Sequence, residues 1–187
     1  MKLRRGFKTE ANQIATEIRA ELGLSHVAPL DPWALSEHLA IEILPLSNMV
    51  SEAPSVTHFL NGGINSFSAI TIFYGTARLI IHNDRHSRGR QNSNITHELS
   101  HALLQHPPMP PLSELGLRNF DQNLEDEANW LAGVLLIPER AALNIARQKL
   151  SVDIAAERYG VSTQMVQFRL NVTGAHKRVQ RMKHRYT

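Results

Sequence analysis

Apolar positions recur at helical spacing near the start of the chain, give way to short β-rich runs in the middle, and return to helical spacing after residue 94. Ile14, Ile18 and Leu22 fall at i, i+4 and i+8 and predict a helix over residues 9–22, with Gly23 as its C-cap. Asp31 offers an N-cap and Pro32 an N1 residue for a second helix, whose apolar face is Trp33, Leu35 and Leu39. Residues 41–44 form a short β-prone run ended by Pro45. Residues 46–55 read as loop, and residues 56–60 as a strand before the turn Asn61-Gly62-Gly63. The clearest strand pair is 69–74 (AITIFY) and 78–82 (RLIIH), joined through Gly75-Thr76.

A polar loop is expected over 83–93, and then a helix over 94–105 that stops at Pro107-Pro108. Residues 107–122 carry four Pro and a Gly and read as loop. Residues 124–136 predict a second long helix closed by Pro138, and residues 139–150 a third. Two short helices around Gly160 complete the pattern. A small sheet with most helices after it is an α+β arrangement. The expected division is a main domain over 1–150 and a small helical segment with a basic tail over 151–187.

Composition narrows the chemistry. There is no Cys among the 187 residues, which excludes disulfides, thiolate zinc sites and cysteine nucleophiles. Ten His are left as nitrogen ligands. No apolar run reaches the length of a membrane span, and no signal-like stretch follows the basic start, so a cytoplasmic protein without membrane contact is expected. The net charge of +3 conceals a gradient. Residues 1–157 hold 13 Lys/Arg against 17 Asp/Glu, a net of −4, and everything after Glu157 is basic or neutral. Such a tail reads first as a solvated end and second as a nucleic-acid contact.

His97-Glu98-Leu99-Ser100-His101 matches H-E-x-x-H, a motif expected by chance in this composition about 3% of the time. Two imidazoles four apart on a helix project from one face and can share one zinc. At about 100° per residue, Ile95, Leu99, Ala102 and Leu103 lie on the side of the helix opposite the two histidines. That is the pattern of a helix packed on a core with its other face lining a cleft. Glu98 falls about 100° around from His97, where it can act on water without ligating the metal.

A catalytic zinc takes three protein ligands. Glu114, Asp121, Glu125, Asp126 and Glu127 are the candidates for the third. Glu125 is favoured, with Glu127 as the alternative. Asn129, four residues after Glu125, can orient a ligand imidazole, and Ala128 and Ala132 permit close helix approach. A group that stabilises the reaction's oxyanion is also needed, and Tyr74, His58 and His82 are candidates.

The runs ITHELSHALL and LEDEANWLAGVLLIP resemble the ImmA/IrrE family of zinc metallopeptidases. Residues 10–44, 80–83 and 159–170 are also similar to family segments. Trp130-Leu131 stands where Phe is usual, and Asn94-Ile95-Thr96 replaces a more apolar approach. The resemblance implies a zincin-like, gluzincin-type fold and Zn2+ held by His97, His101 and Glu125. It also implies Glu98 as the catalytic base and a peptide substrate, typically a helix-turn-helix repressor. Residues 152–170 themselves read like a helix-turn-helix, which supports a second reading: a DNA-binding or antitoxin-like regulator with a structural zinc site.

Overall fold

The computed structural model describes residues 2–61, 63, 65–108 and 121–183. Most of the loop expected over 107–122, including Glu114, lies outside them, as do Gly62 of the expected turn and residues 184–187 of the basic tail. No helix among the described residues is long and apolar enough to cross a membrane.

Helix α1 runs Phe7–Glu21 and α2 runs Pro32–His38, with the Asp31 carboxylate accepting from the Trp33 amide as a cap. Strand β1, Glu42–Pro45, pairs in parallel with β3, Ala77–His82, while β2, Ala69–Tyr74, pairs antiparallel with β3. The order β1-β3-β2 makes this a mixed sheet with β2 at an edge. Period-two alternation on β3 sends Ile80 to one core and Ile81 to another.

The main core lies on the Ile80 face. Phe7, Ala11, Ala15 and Ile18 from α1 meet Leu35 of α2 there. Ile95 and Leu99 come from α4, Arg88–Leu103, and Leu131, Val134 and Leu135 from α5, Gln122–Leu136. The opposite face of β3 is covered by Leu46, Leu60 and their neighbours. Helix α6, Glu139–Gln148, packs with α7, Val152–Tyr159, α8, Thr163–Thr173, and α9, Ala175–Lys183, around Ile145, Tyr159, Val166 and Leu170.

Three local expectations differ from the structure. Residues 56–60 are not a strand. Pro54 opens a 3-10 turn, and α3, Thr57–Leu60, follows it so that Leu60 packs on Leu46 and Ile81. Burial here overrides the β-preference of Val56 and Thr57. Helix α4 begins at Arg88, inside the segment expected to be loop. Its first turns carry no apolar stripe because they are held by other means. A side chain at Gly89 would meet the Val161 backbone at 3.0 Å, and Asn92 Nδ2 donates to Gly160 O at 2.7 Å. Beyond Gly160 there are two helices, not one. Gly174 adopts a left-handed conformation (φ +61°) that ends α8, and the polar α9 is anchored by Ala175 and Val179.

Two buried guanidinium groups hold the end of α5. Arg19, 1% exposed, donates to the carbonyls of Ser25, Ala28 and Leu135. Arg169, 2% exposed, donates from Nε to Ile137 O. Cations against the C-terminal carbonyls of a helix also match its dipole. Burial lowers the pKa of both, that of Arg169 to about 10, so Arg169 stays charged at neutral pH. Replacing Arg19 with Met removes the donor from the buried Leu135 carbonyl and from the part-buried carbonyls of Ser25 and Ala28. Arg19→Met is expected to reduce unfolding free energy by about 2–4 kcal/mol in urea titrations, and an unchanged midpoint would rule out this role.

Candidate metal centre

The H-E-x-x-H residues lie in the last turns of α4, and α5 crosses directly over them. Ile95 and Leu99 are fully buried on the core side of α4, so His97 and His101 are turned to the cleft. Ala128 and Ala132 of α5 are buried, in keeping with the close approach of the two helices. Thr96 and Ser100, also buried on α4, return their hydroxyls to the carbonyls four residues earlier.

This packing brings one oxygen and two nitrogens together. His97 Nε2 and His101 Nε2 are 3.1 Å apart. Glu125 Oε2 is 3.2 Å from His97 Nε2, and Oε1 is 3.5 Å from His101 Nε2. Among the described residues, His97, His101 and Glu125 form the group whose ligand atoms all fall within 4.8 Å of one another. Two imidazole nitrogens and one carboxylate oxygen are a donor set suited to a divalent metal. Glu127 does not join them. Its carboxylate accepts from Arg4 Nε at 3.0 Å and faces His106. Asp126 instead accepts from the backbone amide of Lys2 and from Gln122. Asp121 caps α5 by accepting from the Asn123 amide.

Glu98 points to β2, where Thr71 Oγ1 donates to its Oε2 at 2.5 Å. Both line a cleft of about 630 Å³ that also exposes His97, His101, Glu125 and Arg78. Asn129 lines the same cleft and raises the pKa of His97, but the buried His97 Nδ1 has no hydrogen-bond partner among the described residues. The residues considered as oxyanion partners sit elsewhere. Tyr74 is 88% exposed at the hairpin end, His82 is buried edge-on against Trp33, and His58 meets Phe59 edge to face.

Sequence reasoning missed Thr71, Arg78 and His106. His106 Nδ1 lies 2.8 Å from His101 Nδ1. A spacing of five residues gives no helical signal for this contact. It arises because Gln105 takes a positive φ of 54° and turns the chain back beneath His101.

Burial and charge set the protonation of the cluster. Burial opposes a charge on His97, but the hydrogen bond to Glu125 and the nearby Glu98 outweigh it and raise its pKa. Burial and then repulsion from His97 lower His101 to about 4. Burial also lowers His82 and His106. A histidine whose folded pKa is depressed takes up protons in the unfolded chain first, so it adds stability that is lost as pH falls. Three such groups oppose the single raised one, His97. Stability of the metal-free chain is therefore expected to fall from about pH 6.5 toward about pH 4. Thermal midpoints measured across that range in a chelator check this, and a rise on acidification would contradict it.

A comparison with individually curated proteins gives no match. The family model described as "Peptidase_M78: IrrE N-terminal-like domain" matches residues 50–171, well over half of the chain. The match includes both cleft helices, the antiparallel strand pair and the α7–α8 turn that receives Asn92. The chain belongs to the ImmA/IrrE family of metallopeptidases.

Proposed function

We propose that this chain is a zinc-dependent endopeptidase that cleaves a regulatory protein, and that its substrate is a helix-turn-helix repressor. The convergence of His97, His101 and Glu125 in the lining of one cleft carries the enzymatic part of this reading. The repressor rests on the family resemblance. In this reading those three side chains hold Zn2+, which when bound supplies a Lewis acid for the attacking water and the scissile carbonyl.

The remaining steps belong to the protein. Glu98 takes the water proton and returns it to the leaving amine. Thr71 holds the Glu98 carboxylate toward the cleft through its hydroxyl. Arg78 lines the cleft and is near enough to lower the His101 pKa by its charge. It is therefore placed to favour negative charge developing on the carbonyl oxygen. The outer edge of β2, which pairs with no further strand among the described residues, borders the same cleft, and an extended peptide can add to it.

The regulator reading has less support. In a DNA-reading helix-turn-helix the second helix offers cations to the groove. The cation of α8, Arg169, is instead buried and tied to Ile137 O. Met165 of the same helix lines the cleft, and Phe168 packs on Trp130. Basic residues Lys177 and Arg181 are exposed on α9, so a tail contact with nucleic acid is the part of that reading left to test.

Glu98→Gln is expected to retain one equivalent of zinc and to lose cleavage of a co-expressed repressor by a factor of about 10² to 10⁴. Undiminished cleavage would remove Glu98 as the base. Metal analysis of Glu125→Ala is expected to show the site emptied, whereas Glu127→Ala keeps a full equivalent. The reverse pattern would move the third ligand to Glu127.

A further inference from the structure

We propose that His106 is a positioning residue of the metal centre: it accepts the Nδ1 proton of His101 and so holds that imidazole with its Nε2 lone pair turned to the cleft. The inference rests on the reading above that His101 is a ligand through Nε2. It assigns a role to two side chains that the metal site itself leaves over, His106 and Glu127.

The geometry is specific. The two Nδ1 atoms are 2.8 Å apart, and the rings meet edge to face at 71° with centroids 4.8 Å apart. The His106 amide also donates to His101 O at 3.0 Å, so backbone and side chain fix the same pair. His106 is 8% exposed, which leaves little water to compete for its nitrogens.

Proton accounting gives the direction. A neutral imidazole has one donor and one acceptor nitrogen. If His101 keeps its Nε2 lone pair for the cleft, its proton is on Nδ1, and that proton meets His106 Nδ1. His106 then carries its own proton on Nε2. That atom faces Glu127, whose Oε2 lies 3.9 Å away, and Glu127 Oε1 is held in turn by Arg4 Nε at 3.0 Å. The chain Arg4–Glu127–His106–His101 therefore favours one tautomer for both rings. The reverse polarity would place a proton on His101 Nε2 and leave His106 Nε2 as a bare lone pair toward a carboxylate. Glu127 does not touch the ligand cluster, yet its charge decides which way the relay points. His97 has no such partner on its Nδ1 among the described residues, and Asn129 acts on it from α5 alongside Glu125.

Zinc titrations of the full chain against a competing chelator test this. His106→Leu keeps the bulk and removes the acceptor, and zinc affinity is expected to fall roughly 10- to 100-fold. His106→Asn presents an acceptor oxygen close to where Nδ1 stood, and most of the affinity should return. A His106→Leu protein with unchanged affinity, or an Asn variant as weak as Leu, would overturn the assignment. Long-range proton–nitrogen spectra of the zinc-loaded unsubstituted chain need no variant to fold. They are expected to show the His106 proton on Nε2, and a proton on Nδ1 would reverse the relay and overturn the proposal. A chain that takes up no zinc overturns the metallopeptidase reading and this inference with it. A chain that binds zinc with no response to either test overturns this inference alone.

Discussion

Helices α4 and α5 lie side by side because the residues between them are apolar or small. Leu99 and Leu131 bury their side chains completely, Ala128 and Ala132 occupy little room, and Thr96 and Ser100 satisfy their hydroxyls within their own helix. A carboxylate on one helix can approach two imidazoles on the other within 3.2–3.5 Å only across such a seam. The two imidazoles come from α4 and the carboxylate from α5, so the site is a property of the pair.

The rest of the structure keeps that pair in place. Arg19 and Arg169 bind the carbonyls where α5 ends, from α1 on one side and α8 on the other. Gly89 and Asn92 seat the start of α4 against the α7–α8 turn. The N-terminal segment reaches the start of α5 through the Lys2 amide on Asp126 and Arg4 on Glu127. Burying a cation is costly, and each guanidinium offsets part of that cost by donating to a carbonyl at the end of α5 that the helix itself leaves unpaired. Electrostatics inside the cluster follow from the same closeness. Two imidazoles 3.1 Å apart do not both carry a positive charge in a half-buried site: Glu125 raises the pKa of His97 against its burial, while burial and then the charge of His97 lower that of His101 to about 4.

Much of this was legible from local pattern. The β2 and β3 boundaries follow from β-branched runs flanking Gly75, and α5 from its long apolar period and Pro138. The misread elements share a cause. Residues 56–60 have strand propensity but are captured by packing on Leu46 and Ile81. The start of α4 is held by one close glycine and one asparagine bond, neither of which leaves a periodic trace. Helix α9 offers little beyond Ala175 and Val179 to mark it.

By itself the sequence determined the chemistry that travels with helical spacing. His97 and His101 must share a face, Glu98 must stand beside it, and the absence of Cys confines any zinc to imidazole and carboxylate. Spacing along one chain cannot say which residue of a second helix meets that face. Glu125 and Glu127 are both acids of the same turn, about 200° apart, and only the crossing of α5 over α4 turned one to the imidazoles and the other to Arg4 and His106. Thr71 reaches the cleft from the edge strand β2, Arg78 from the central strand β3, and His106 through a left-handed residue at Gln105. Those placements depend on contacts between residues distant in sequence or on a single backbone angle, and neither is encoded in a periodic pattern.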